Sequence, residues 1–278
     1  MKTRIITATA ALALFIVVFL LPPIMFTIAL AAVIFLMLYE CYKATKADTA
    51  MKIVGFISAA IMIGAALLGS IVISWQTAGQ IGIFVVAAIA FSILLYMALV
   101  VKEHGKKDYK EVLASGFLTV YIVLSMGSVW LAKEIYGTGI MLLIFVCAWS
   151  TDTFAYFSGR FFGKHKLIPH VSPNKTVEGS IGGIIGAIAV CVAYTTIVTV
   201  LENHCIIFSI IFGIIGGSLS QLGDLAASAI KRDTGIKDFG WIFPGHGGFM
   251  DRFDSVMYIA PVFHIVIIFS SLFLGIRI

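Results

Sequence analysis

The chain has 278 residues, 60% hydrophobic and only 12% charged, with a mean hydropathy of +1.07 and a net charge of +5. Soluble domains carry about 25% charged residues, so the composition excludes an ordinary water-soluble enzyme. The basic excess needs no nucleic acid: it lies in short segments between apolar runs, where a membrane surface accounts for it.

A membrane-spanning helix needs about 20 mostly apolar residues. Nine segments fit that template, at roughly 5–21, 24–39, 53–73, 81–101, 112–132, 137–157, 178–201, 205–226 and 255–275. The expected fold is an all-α polytopic membrane protein. The basic start and apolar run of the first segment resemble a signal peptide. It continues into Pro22-Pro23 without a small-residue cleavage site, so it is expected to remain as a first helix, in a tight hairpin with the second. Residues 1–110 read as a transmembrane scaffold, with Lys43, Lys46, Lys102, Lys106 and Lys107 in short loops facing water or lipid headgroups. Cys41, Cys147, Cys191 and Cys205 have no metal-ligand spacing and read as small buried hydrophobes.

With nine spans, one membrane side holds 17 of the 19 Lys and Arg residues, all but Lys133 and Arg277. The positive-inside rule then places the N-terminus in the cytoplasm and the C-terminus outside. Residues 111–278 form the catalytic region, with cytosolic loops at 158–177 and 227–254.

Charge enters the helices in that second region. Asp152 follows the run GIMLLIFVCAWST, and a helix continuing through FAYFSG puts it about two turns inside the cytosolic face. A membrane-embedded acid is costly and marks a functional site by default. The eighth span runs to Asp224; if its helix continues, Asp224, Ser228 and Lys231 share one face. Small residues recur as Gly179/Gly183, Gly182/Gly186 and Ser209, Gly213, Gly217, Ser220, a pattern expected to build close helix packing rather than a pocket. His264, alone in an apolar helix, reads as a packed, hydrogen-bonded residue.

Two cytosolic clusters carry the chemistry. The first is DTFAYFSGRFFGKHKLIPHVSPNKTVEG from Asp152; the second begins at Asp224 and Ser228 and ends at Asp254. Together they offer Asp152, Asp224, Asp251 and Asp254 for cations, and Arg160, Lys175, Lys231, Arg232 and Arg252 for phosphates. Mg²⁺ commonly takes one or two carboxylates together with substrate phosphate, which suits a nucleoside triphosphate. Alternatives stand beside these roles. Asp224 also suits a helix end, Asp251 an ion pair with Arg252 in a solvated loop, and Asp254 a helix cap. Asp152 completes a cation site or orients a basic residue, or else forms an internal ion pair that only fixes helix packing. Ser228 touches metal or phosphate, or bonds to its own backbone; His246 touches phosphate or base, or makes a structural hydrogen bond. No GxxxxGK[ST] loop or kinase signature is present.

At these residues the chain resembles the phosphatidate cytidylyltransferase (CDP-diacylglycerol synthase) family. The family's C-terminal signature stands as Ser228, Lys231, Arg232, Lys237, Asp238, Gly240, Phe243, Pro244, His246, Gly247, Gly248, Asp251, Arg252 and Asp254. The motif-bearing likeness covers about 145–255; the N-terminal third matches only as generic apolar spans. The resemblance implies transfer of CMP from CTP to phosphatidate, giving CDP-diacylglycerol and pyrophosphate. It implies Mg²⁺ or Mn²⁺ with room for a second cation, CTP, phosphatidate and membrane lipids as partners, and a bacterial plasma (inner) membrane location facing the cytosol. A homodimer is compatible with it.

On that reading Asp224, Asp251, Lys231 and Arg252 are catalytic. Ser228, Arg232, Lys237, His246, Arg160 and Lys175 bind substrate, and Asp224, Asp251, Asp152 and Asp254 hold metal. Lys231 should meet the CTP phosphates beside Asp224, whereas Arg160 and Lys175 sit on a separate segment nearer a lipid cleft. An anion transporter is disfavoured because no paired repeat is visible and the charges gather at one membrane face. A CDP-alcohol phosphotransferase would carry its own DG-x2-AR motif, which is missing.

Overall fold

A computed structural model describes residues 9, 15–72, 78–104, 108–198, 203–243, 245 and 247–274. Most of the first predicted span lies outside them, although 15–20 are helical. The named helices are α1 (Pro23–Ala44), α2 (Thr49–Val72), α3 (Ala78–Lys102), α4 (Tyr109–Phe162), α5 (Val177–Val198), α6 (Asn203–Thr234) and α7 (Met250–Leu274). Among the described residues, six helices are long and apolar enough to cross a membrane. At 1.5 Å per residue the 54 residues of α4 measure about 80 Å, more than twice a hydrocarbon core of about 30 Å. Gly137 breaks it with φ 78° and ψ 171°, where the sequence separates its fifth and sixth predicted spans.

The structure corrects the purely helical expectation in one place. The 158–177 segment is not a loop throughout: α4 continues to Phe162, and strands β1 (Lys166–Ile168) and β2 (Ser172–Thr176) pair antiparallel. In the 227–254 segment α6 runs on to Thr234 and α7 begins at Met250, with neither helix nor named strand among the described residues between them. Gly235, at φ 70°, ends α6: the Ile236 N–H donates to the Lys231 carbonyl and the Gly235 N–H to the Arg232 carbonyl. Two such bonds around a left-handed residue satisfy orphan carbonyls and stop the helix.

The chain divides into two compact units, Met1–Met126 with Asp238–Arg252 and Gly127–Lys237 with Phe253–Ile278. In the first, the Thr119 hydroxyl on α4 bonds to Tyr42 of α1 and to Tyr96 of α3, and Tyr96 donates to the Met51 carbonyl of α2. These buried hydroxyls satisfy one another where no water reaches them. Asp48 caps α2, its Oδ1 accepting the Met51 N–H at 2.8 Å.

In the second unit the small residues do what the sequence leads one to expect. A Cβ built on Gly183 would lie 3.0 Å from the Thr151 carbonyl, and one on Gly213 would lie 2.7 Å from the Ile188 Cα. The α5 backbone therefore lies against α4 on one side and α6 on the other. Thr195 and Ser209 hydrogen-bond across α5 and α6 at 2.6 Å. Phe208, Phe212 and Phe263 fill the adjoining core. His264 Nε2 lies 2.9 Å from the Ser128 carbonyl, and Cys41, Cys147 and Cys191 are buried free thiols, all as expected.

Candidate active site

In the second unit, the start of α5 fixes the hairpin. Thr176 caps the helix, its hydroxyl accepting the Gly179 N–H at 3.1 Å. Glu178 in the first turn reaches back: Oε2 accepts the Lys164 N–H at 3.0 Å and the His165 N–H at 3.2 Å. Its Oε1 lies 2.6 Å from His165 Nδ1. The Val177 N–H donates to the His165 carbonyl at 2.9 Å. Both hairpin ends are thereby tied to one helix N-terminus, which leaves Lys175, just before the cap, little freedom.

Lys175 Nζ lies 2.6 Å from Asp224 Oδ2 and is half-buried with it. It also reaches the Gln221 carbonyl at 3.5 Å, while Gln221 donates to the Ser180 carbonyl at 3.1 Å, pinning α6 to α5. The pair lines a cavity of about 400 Å³ whose wall also holds Asp152, Tyr156 and Arg160. Arg160 donates to the Tyr156 hydroxyl at 3.0 Å, one turn back on α4. Four predicted residues, Asp152, Arg160, Lys175 and Asp224, are brought together here from two helices and a strand. Lys175, expected on the lipid side, is the cation that touches Asp224.

The other predicted residues of this unit do not line the cavity. Ser228 is one turn beyond Asp224 and donates to its Oδ1 at 3.4 Å. Arg232 turns to the hairpin, its Nε 3.4 Å from the Val171 carbonyl. Asp254 is buried one turn inside α7, so the capping role weighed for it is not the one it plays. A Cβ on Gly223 would lie 2.6 Å from the Asp254 carbonyl, which sets Asp254 beside the Asp224 turn of α6. Asp224, Asp152 and Lys231 all act electrostatically on Asp254. Lys237 is exposed past the end of α6.

The glycine-rich segment belongs to the first unit and is organised by two carboxylates. Asp251 is buried; its Oδ2 accepts the Phe239 N–H at 2.8 Å and the Gly248 N–H at 3.0 Å. It is therefore not the loop-surface acid paired with Arg252 that the sequence allowed. Arg252 is exposed beside it. His246 and Pro244 lie outside the described residues. The second carboxylate, Glu40, is not among the residues that the sequence motifs single out. It is 3% exposed near the end of α1 and accepts the Phe249 N–H at 3.1 Å and the Met250 N–H at 2.9 Å. A lone acid in an apolar span was the available signal.

Among the described residues, no three His, Cys, Asp or Glu side chains converge to hold a metal ion unaided. Asp224 and Asp152, in one cavity with Lys175 and Arg160, do fit a cation that arrives with phosphate, because Mg²⁺ needs few protein carboxylates when substrate oxygens complete its shell.

Fold and site define a polytopic helical membrane protein with a cavity into which two acidic and two basic side chains converge. A family profile described as the Cytidylyltransferase family matches residues 2–270. The chain is 34% identical over 276 residues to a phosphatidate cytidylyltransferase of Staphylococcus saprophyticus, covering 96% of this chain and 99% of that protein. It is 35% identical over 281 residues to one of Staphylococcus aureus, covering 97% and 100%. The chain belongs to the cytidylyltransferase family. The match extends through the N-terminal third, which by itself reads only as apolar spans.

Proposed function

We propose that the chain transfers CMP from CTP to phosphatidate, forming CDP-diacylglycerol and pyrophosphate for phospholipid synthesis. A phosphate oxygen of phosphatidate attacks the α-phosphorus of CTP. The bond to the bridging oxygen of the β-phosphate breaks, and pyrophosphate leaves with the electron pair. The attacking oxygen is already anionic, so little general-base help is required. Repulsion between two polyanions is the larger barrier, and Lys175 and Arg160 reduce it by placing fixed positive charge in a partly enclosed cavity. Asp224, with Asp152, would hold Mg²⁺ or Mn²⁺. When bound, that cation supplies charge neutralisation and orientation of the phosphates. Lys231 and Ser228 extend the same face of α6, while Asp251 and Arg252 enter the reaction by their place in the motif.

The observation that carries this reading is the Lys175–Asp224 contact inside a cavity also lined by Asp152 and Arg160. Purified protein should release pyrophosphate from CTP only when phosphatidate is added. Release without lipid, or none with it, would overturn the reading.

The same reading places the protein in the bacterial plasma membrane with nine spans, the N-terminus and the active site on the cytosolic side, and the C-terminus outside. The 17-to-2 division of Lys and Arg and the helix break at Gly137 support it. Single cysteines introduced at 168–173 or 236–241 should resist an impermeant reagent applied from outside; labelling there would contradict the topology.

A further inference from the structure

The glycine-rich segment carries the densest part of the motif, yet part of its conformation is imposed by a residue 209 positions away. Met250 begins α7 and Phe249 immediately precedes it, at the end where backbone N–H groups have no partner within the helix and the helix dipole is positive. Glu40 meets both with one carboxylate. Gly240 and Gly248 lie bare against that carboxylate, and a Cβ on either would run into it. From the other side Asp251 ties Phe239 to Gly248. The segment from Phe239 to Met250 is thus held at both ends by acids.

Two buried carboxylates within electrostatic reach of each other oppose one another, and a Gln at position 40 would avoid that repulsion. What a carboxylate adds is two charge-assisted bonds from one rigid group, which fix both the distance and the direction of the loop. Such an arrangement suits a demand for position more than one for stability.

We propose that Glu40 is a positioning residue for the transfer reaction: it clamps the Phe239–Met250 segment so that Asp251 is presented to substrate in a single orientation. This rests on the cytidylyl-transfer reading above. Glu40 contacts no substrate; it acts through the loop.

The test compares wild type, Glu40→Gln, Glu40→Ala, Gly248→Ala and the Glu40→Ala/Gly248→Ala double variant in detergent. A positioning role lowers kcat and kcat/KM together, so Glu40→Gln should lose about tenfold or more in kcat, with KM for CTP and phosphatidate within about threefold. Its thermal midpoint should stay close to that of wild type. Gly248→Ala should be strongly impaired alone and nearly silent in the Glu40→Ala background, where the colliding carboxylate is gone. Amide exchange at Phe249 and Met250, read without turnover, should accelerate in Glu40→Gln, with α5 unchanged. Unchanged kcat in Glu40→Gln, equal cost of Gly248→Ala in both backgrounds, or unchanged exchange at those amides would each overturn the proposal. A wild type inactive on CTP and phosphatidate overturns the reaction and the kinetic role with it, and the exchange data still decide whether the clamp exists.

Discussion

Lys175 Nζ sits 2.6 Å from Asp224 Oδ2, so a cation delivered by a β-hairpin neutralises a carboxylate presented by a membrane helix. Neither charge reaches the other through its own element. The contact exists because Thr176 and Glu178 fasten the hairpin to the start of α5 and Gln221 fastens α6 to the same helix. On the proposed reading, an entering anionic substrate would give each member a second partner: Lys175 the phosphate, Asp224 the accompanying cation.

Asp224→Asn removes a charge at nearly constant shape. It should reduce kcat by at least about a hundredfold at saturating CTP, phosphatidate and Mg²⁺, the scale seen when a transition-state charge stabiliser is lost. Because the carboxylate is only half-buried, insertion and the thermal midpoint should change little. Pyrophosphate release by the purified variant is the measurement, and near-normal turnover would exclude the role assigned to Asp224.

Asp251 should separate stability from activity. Its Oδ2 accepts two buried backbone N–H groups, so Asp251→Ala strands both and should cost about 2–4 kcal/mol of stability. Asp251→Asn keeps an acceptor and should cost less, yet it too should lose turnover because the charge is gone. Thermal unfolding in detergent alongside the pyrophosphate assay checks both halves.

Much of this arrangement was legible in the sequence. Apolar runs separated by charged segments marked the helices, and Asp152, Asp224 and Lys175 stood out as charges at or beside them. The spacing of Gly179, Gly182, Gly183 and Gly186 foretold close helix packing, and they pack against α4. What was not legible depends on contacts between distant segments. Nothing local announces that Glu40 meets Phe249, or that Lys175 reaches Asp224. The hairpin is also hidden: its strands are three and five residues long, too short for an alternating pattern to set them apart from a loop.

The glycine packing gives a prediction independent of chemistry. Gly213→Ala would place a Cβ 2.7 Å from backbone that cannot yield cheaply, and should destabilise by about 1–3 kcal/mol. Gly64→Ala, where nothing lies within 4 Å, should be neutral or stabilising by up to about 1 kcal/mol, since Ala loses less backbone entropy than Gly in a helix. Thermal midpoints of the two variants in the same detergent should differ in that order; equal midpoints would contradict the packing described for α5 and α6.

The central claim concerns which phosphate moves. Purified protein should be incubated with phosphatidate and Mg²⁺ and with CTP labelled at either the α- or the γ-phosphorus, after which lipid and water phases are separated. Transfer of CMP puts the α-label into the lipid phase and leaves the γ-label in water as pyrophosphate. The account predicts that pattern, dependent on phosphatidate and absent in Asp224→Asn. Label from the γ-position in the lipid phase, or no α-label there, would contradict it.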